Sequence, residues 1–577
     1  MKKDILLFIM LACIPMFVLG FSISFGVTWK SNNESLADSA SPNASNLKQA
    51  SIQYTDNVSI SIEYDSDFRA QAAINGWDRG GSQDGTASKP YIIDNANFTG
   101  SSTLIRINHT DVYFYINNCI ISGSGYIGIY FEDVSNGFII NNNIFSNNDS
   151  GIVLYQSNNI TVAGNHIVNN AKKPYNSFDA IYVSQSSNNT IKDNDISNNH
   201  NSGIRISSLS HNNTIRNNTL STNGGTAVYV SGASKDNVIT NNTIVDNGPY
   251  GGSGVYLEIG PQGTTITDNI IVNCFDYGIG LSGSIGNGAT KNNIISGNSI
   301  SNCQYGLVVL SSAANTIIGN YVTNNTQFGI YVHTGPNAPA EDNIIENNDF
   351  VNNKYEFGAS GYPQAWDDGS SNTFAGNYWD EWVVPDANTN SIVDNPYPIN
   401  GSANNKDNTP VTSPNTPGLH VLSRPRIIAP NTGGWLSGTI TIDFAESKDS
   451  LGHTATYSIY YTNNSGSTWH QITSGLTATS YNLDTLTIPY QYGEGWTYAE
   501  AYDIWIKVVA DGSGGLTAVD YTDFAFNIRN VIETSTSTST SVDTNTGPQE
   551  TPWLSVTIFI TAAFALAGIR MGRKKKN

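Results

Sequence analysis

Between about residues 90 and 380, isoleucine, valine and leucine alternate with polar residues in short runs broken by Asn, Gly or Ser. One kind of run has the form small-I-x-V: Gly128-Ile129-Tyr130-Phe131, Gly151-Ile152-Val153-Leu154, Ala180-Ile181-Tyr182-Val183, Gly203-Ile204-Arg205-Ile206 and Ala227-Val228-Tyr229-Val230. It continues at Gly254-Val255-Tyr256-Leu257, Gly278-Ile279-Gly280-Leu281, Gly306-Leu307-Val308-Val309 and Gly329-Ile330-Tyr331-Val332. Alternation with period two marks a strand with one buried face. No stretch of this region keeps a 3.6-residue apolar period, so its coils should hold no helix. A second pattern, roughly I-x-x-N-x-I-x-x-N, sets an asparagine two residues before an apolar one at Asn142, Asn165, Asn194, Asn218, Asn242, Asn269, Asn298, Asn320, Asn348 and Asn377. The steps between them run from 22 to 29 residues. Self-similarity at such a period means stacked coils. Two or three short strands per coil, joined by Asn, Gly and Ser corners, predict an all-β chain built on a parallel β-helix. The asparagines then form a structural ladder, because Asn tolerates tight corners and stacked amides bond to one another.

The pattern changes along the chain. Residues 31–58 are Ser/Asn-rich and read as a linker, residues 59–411 as the β-helix with its end caps, and residues 412–420 as a Pro/Thr-rich hinge. Over 421–530 the ladder vanishes and longer alternating strands appear, among them Thr439–Phe444 and Ile504–Val509. That change predicts a β-sandwich resembling fibronectin-type-III or immunoglobulin-like modules. Residues 531–551 are a Ser/Thr-rich stalk. Residues 552–570 read as a transmembrane helix and 571–577 as a basic cytoplasmic tail. Residues 1–30 begin Lys2-Lys3 and continue with an apolar run, predicting a signal peptide or signal-anchor. Basic residues at both outer ends place everything between them outside the cell, at the cell membrane.

Composition narrows the partners. Charged residues make up 13% of the 577 and the formal net charge is −20. Setting aside the terminal tails leaves 20 basic against 46 acidic residues, a surface that repels phosphates and excludes nucleic acid as a partner. Sequons such as Asn57, Asn97, Asn108 and Asn463 are compatible with export and with a glycoprotein. Cys274 and Cys303 occupy the same coil position, so adjacent coils bring them within disulfide reach; a disulfide and a pair of stacked thiols both stay open.

Candidate chemistry follows from stacking. The middle residue of each small-I-x-V run should point outward, giving a column with Tyr130, Tyr182, Arg205, Tyr229, Tyr256 and Tyr331. An aromatic strip of this kind is a platform for sugar rings. The neighbouring outward positions carry Glu132, Glu258 and His333, with Asp179 just before its strand. Asp179 and Glu258 are about three coils, ~14 Å, apart, too far for a hydrolytic carboxyl pair, so no catalytic residue is assigned. Asp386, Asn388, Asn390 and Asp394 alternate like oxygen ligands of a calcium loop, the one cofactor the residues suggest, although Ser391 stands where Gly would turn the chain and Tyr397 where a bidentate Glu would sit. An Asx-turn loop is the other reading.

The coils and their ending resemble the NosD / CASH family of right-handed β-helices, carbohydrate-binding proteins and sugar hydrolases. The most specific residues are Gly376-Asn377-Tyr378-Trp379-Asp380, the Asp386–Asp394 loop and Asn395-Pro396-Tyr397-Pro398-Ile399. The resemblance covers roughly residues 60–411 and implies a right-handed parallel β-helix; the layout with terminal anchors looks like surface proteins of archaea. One branch is linked to copper delivery, but copper sites cluster Cys, Met and His, whereas here all four Met lie at the termini and the eight His are scattered. The expected function is a membrane-anchored extracellular protein that binds glycans or cell-surface proteins without turnover. The alternatives are a polysaccharide hydrolase or lyase on the same scaffold and, less favoured, a NosD-like copper accessory.

Overall fold

The computed structural model describes residues 59–171, 179–283, 289–335, 338–353, 364–489 and 498–531. The expected leader, the linker, the stalk beyond residue 531, the membrane helix and the tail lie outside them. Among the described residues no helix is long and apolar enough to cross a membrane.

Three sheets of 12, 14 and 12 strands run along a β-solenoid, each taking parallel strands from successive coils, and the second ends in one antiparallel pair, Tyr397–Pro398 with Lys406–Asp407. Stacking is residue for residue: in the first sheet Ile152, Ile181, Ile204, Val228, Val255, Ile279, Leu307, Ile330 and Ala365 lie in one row. Every member of that row is fully buried. Register is fixed because a slip of one residue would turn this apolar row out to water.

The ten asparagines form one unbroken buried ladder. Asn194 is typical: its Oδ1 accepts from the backbone N (2.9 Å) and Nδ2 (2.9 Å) of Asn165, and its Nδ2 donates to Val162 O (3.0 Å) and Asn218 Oδ1 (2.9 Å). The left-handed corner conformation falls one residue earlier, at Asn141, Asp193, Asn217, Asn241, Asp268 and Asn347, or at a glycine such as Gly376. The ladder residue itself is therefore selected for its amide and its predecessor for the turn. Two further Asn ladders mark the other corners: Asn147–Asn170–Asn199–Asn223–Asn247, and Asn293–Asn315–Asn343–Asn372. Cys274 and Cys303 take the next two places after Asn247, three residues past Ile271 and Ile300. Both are buried free thiols in contact with each other.

Each end of the solenoid is closed differently. At the N-terminal end the helix Asp65–Asn75, which the strand pattern did not anticipate, lays Phe68 against Tyr91, Trp77 and Phe114 and covers the first coil. Gly76 ends it in the left-handed conformation at φ 71°. At the other end Trp379 is stacked between Phe350 (4.5 Å) and Tyr397 (4.1 Å). There Asp407 replaces the ladder amide, and its Oδ2 accepts from Asn377 N, Asn377 Nδ2 and Trp379 Nε1.

Beyond the solenoid, a three-stranded and a six-stranded sheet share one apolar core that includes Ile442, Phe444, Ile459, Ile504, Ile506, Val508, Phe526 and Ile528. The 412–420 segment, expected to hinge, lies against the last coils: Asn415 N and Thr416 N donate to the Asp349 carboxylate, and Val421 packs with Val351, Tyr378 and Val383. Arg424 then reaches back, its Nε 3.0 Å from Asp380 Oδ2 and its Nη2 2.8 Å from Glu381. Burial pushes the Asp380 carboxyl up to about 7 in spite of Arg424.

Two substitutions and one control test this architecture. Asn194→Ala removes an acceptor from two buried N–H donors and should cost about 1–3 kcal/mol for each group left unpaired, read as a lowered urea midpoint and earlier local proteolysis. Thr219→Ala, on an exposed strand position, should change stability by no more than ~0.5 kcal/mol. Arg424→Ala should destabilise the junction by about 3–5 kcal/mol, because it leaves buried carboxyls without their counter-charge. The loss should be larger in alkaline than in acidic solution, where protonation spares Asp380.

Candidate functional site: an aromatic cleft on the first sheet

The outward column is in register as the strand pattern implies: Tyr130, Val153, Tyr182, Arg205, Tyr229, Tyr256, Gly280, Val308 and Tyr331 are consecutive partners. It extends back through Arg106 to Ser61 and continues to Trp366. Its rings are half-buried instead of fully exposed, because they lie along the sheet and lean on one another. Val153 and Val308 beneath them are 5% and 2% exposed.

The column divides into two stretches by its contacts. Near its start, the Tyr130 hydroxyl donates to Glu132 (3.2 Å) and the Arg106 guanidinium sits 5.4 Å from the Tyr130 ring centre. The Tyr182 hydroxyl accepts from Ser207 (3.1 Å). Arg205 lies 4.6 Å over the Tyr229 ring, with its Nε 2.7 Å from the buried Asp179 carboxylate. From Tyr229 onward the aromatic surface is continuous, with ring centres 5.9 Å apart for Tyr229–Tyr256 and for Tyr256–Tyr277, 5.8 Å for Tyr277–Tyr305 and 5.6 Å for Tyr305–Tyr331. Phe328 and Trp366 extend it.

Tyr277, Tyr305 and Phe328 form a second file that the period-two reading missed, because they stand one residue before the strand pattern begins. The visible signal was a repeated Tyr-Gly before Ile279 and Leu307, where other coils place Asp179, Ser202, Thr226 or Ser253. Gly280 lets the two files merge: a Cβ there would come within 2.7 Å of both the Tyr256 and the Tyr277 rings.

Beside this surface lies a cleft of ≈ 700 Å³, within the range of about 300–1,000 Å³ usual for small-ligand sites. Gly225, Gly252, Ser202 and Ser253 form its floor, Tyr229, Tyr256 and Tyr277 one wall, and Tyr250 with His200 (ring centres 5.6 Å apart) the outer wall. The floor must be small, since a Cβ on Gly252 would lie 2.4 Å from the Gly225 carbonyl carbon. Arg205 and Asp276 supply charge at the lining. Desolvation raises the Asp276 carboxyl to about 6, and burial, only partly opposed by Arg205, raises Asp179 to about 6 as well. Burial, and for Tyr229 the Glu258 carboxylate that accepts its hydroxyl proton, raise the Tyr229, Tyr256 and Tyr277 phenols, which keeps them hydrogen-bond donors.

Other predicted residues stand apart from the cleft. His333 pairs with Asp368 (3.0 Å) and stacks on Tyr331. In the proposed calcium loop the oxygens are engaged by backbone amides: Asp386 accepts from Asn390 N and Ser391 N, Asn388 from Asn390 N, Asn390 from Ile392 N and Asp394 from Ala387 N. That is the bonding of a run of Asx turns.

Residues 43–173 and 172–290 match the family model described as right handed beta helix region, and residues 250–383 match that of the periplasmic copper-binding protein NosD. With the solenoid described above, these matches establish a right-handed parallel β-helix. No curated protein matches the chain. Similar solved structures include a hyperthermoactive exopolygalacturonase from Thermotoga maritima, at 11% identity and TM-score 0.38 over 50% of this chain and 83% of that one. The A-module of the Azotobacter vinelandii mannuronan C-5 epimerase AlgE4 shares 15% identity at TM-score 0.38, over 56% and 96% of the two chains. The periplasmic alginate epimerase AlgG shares 14% at 0.35, over 48% and 77%. Likeness at this level says nothing about substrate.

The raised Asp276 carboxyl has a consequence for stability. A folded-state value of about 6 against an ordinary 3.8 means that the protonated form is favoured on folding. Its contribution is complete below the ordinary value and is lost as pH rises through about 6. Asp276→Asn should therefore gain on the wild type in thermal midpoint across that window and show no further relative gain above it.

Proposed function

We propose that this β-helix binds a glycan chain along the aromatic cleft and does not cleave it. The observation that carries the reading is the unbroken file of rings from Tyr229 to Tyr331 beside the cleft. Sugar C–H faces pack on such rings, and the phenol oxygens with Ser202 and Ser253 offer hydrogen bonds to hydroxyls. A polymer whose units repeat along the coils meets similar side chains at successive turns.

The carboxyls near the cleft favour binding over turnover. Asp179 is tied to Arg205, Glu258 to Tyr229, and Asp276 is hydrogen-bonded by Tyr277. Hydrolysis asks for two carboxyl groups free to flank one bond, about 5–9.5 Å apart. The rival reading, a hydrolase or lyase, draws on Asp276, whose raised carboxyl is suited to proton transfer. Copper handling is given no part: within 250–383, Cys274 and Cys303 are buried against each other, and no third donor joins them among the described residues. We take the protein to be exported and anchored through its terminal apolar runs, with the C-terminal sheets acting as a fibronectin- or immunoglobulin-like spacer.

On a glycan array the chain should retain a defined set of polysaccharides, and Tyr256→Ala or Tyr277→Ala should each weaken that retention about tenfold. Tyr130→Ala, outside the cleft, should leave it unchanged. Reducing-end and unsaturated-product assays should stay blank. Wild-type retention by the Tyr256→Ala/Tyr277→Ala pair would refute the cleft, and product release abolished by Asp276→Asn would replace binding with catalysis.

A further inference from the structure

Far from the cleft in sequence, and outside both family matches, two imidazoles and a carboxylate converge. His420 comes from the segment leaving the solenoid, and Asp449 and His453 from the turn before the strand Thr456–Thr462. Their ligand atoms all lie within 4.8 Å of one another. The Asp449 side chain is fully buried, and among the described residues its ion-pair partners are these two histidines. His420 Nε2 lies 3.1 Å from Asp449 Oδ2, and His453 Nδ1 lies 3.4 Å from Oδ1. Ser513 Oγ joins them, donating to Asp449 Oδ2 (2.9 Å) and lying 2.8 Å from His453 Nδ1 and 3.4 Å from His420 Nε2.

The direction of these contacts separates two chemistries. In a serine–histidine–carboxylate relay, the serine and the acid address opposite nitrogens of one imidazole. Here both address the same nitrogen, Nε2 of His420 and Nδ1 of His453. All the donor atoms therefore face a common point, as metal ligands do. Elsewhere on the surface the His–Asp pairs are single: His109–Asp133, His166–Asp195 and His333–Asp368 each bring one imidazole to one carboxylate.

We propose that His420, Asp449 and His453 bind a divalent cation of borderline softness, with Zn²⁺ as the probe. Two imidazoles with one carboxylate suit zinc, whereas calcium and magnesium take all-oxygen sets. Bonds of about 2.0–2.2 Å in tetrahedral array set ligand atoms about 3.3–3.6 Å apart, close to the imidazole–carboxylate distances seen here, so the remaining adjustment falls on the separation of the two rings. His453, with 54% of its side chain exposed, leaves an entry path, and the Ser513 hydroxyl or a water completes the fourth position. The ion would clamp the outgoing segment, whose Val421 packs on the solenoid's last coils, to a turn of the C-terminal sheets. Its role is then structural, at the joint between the two halves.

The test uses the full chain after treatment with a chelator. Titration with Zn²⁺ should show one tight site per chain and a raised thermal midpoint, and Mg²⁺ should compete poorly. His420→Ala/His453→Ala should lose affinity about tenfold or more and lose the thermal shift, while His166→Ala should behave as wild type. Should the double variant unfold, His453→Ala alone, at an exposed position, carries the same expectation. Equal Zn²⁺ uptake by wild type and the histidine variants, or no uptake by wild type, would overturn the proposal.

Discussion

A solenoid buries the inner faces of its corners as well as its strands, and every corner leaves backbone N–H groups that water cannot reach. The asparagine ladders answer this constraint. Each side-chain oxygen accepts the corner N–H and the side-chain amide of the coil before it, while each amide passes one bond onward and one to a carbonyl of the earlier coil. Unpaired buried groups of this kind would each cost on the order of the whole net value of a hydrogen bond or more. The ladder thereby holds the coils in register, and register in turn creates every row on the surface.

The aromatic cleft is a consequence of that register. Tyrosines separated by about one coil in sequence become neighbours less than 6 Å apart. Small residues at the cleft floor are needed where adjacent backbones stack too closely for a Cβ, so the packing that builds the solenoid also hollows the groove. Burial in the same place keeps the phenols protonated and lifts the Asp276 carboxyl. Shape, hydrogen bonding and proton affinity at the site share one cause.

The two ends show how the ladder is terminated. A short helix covers the first coil with Phe68, and Asp407 takes the place of the eleventh amide at the other end. The adjoining Asp380 and Glu381 hold Arg424 and so couple the solenoid's closure to the C-terminal sheets. The joint is therefore a bonded surface, in which the 412–420 segment takes part through Asn415 and Thr416.

Periodicity is a local property, and the sequence displays it directly: the alternation of Ile and Val with polar residues, and the recurrence of Asn142 through Asn377, are enough for a stacked parallel β-helix with a column of outward tyrosines. Three features were beyond its reach. The helix Asp65–Asn75 buries only Phe68 and Ala72, too few residues for a helical apolar stripe to be legible. Tyr277 joins the cleft from the first position of the strand Tyr277–Ser282 and Asp276 from the turn just before it, ahead of the alternation that the apolar pattern displays. His420, Asp449, His453 and Ser513 meet across 94 residues of chain only because the C-terminal sheets fold their loops together. Repetition makes neighbours predictable one coil away, whereas contacts between loops of unrelated spacing are decided by the packing of the whole.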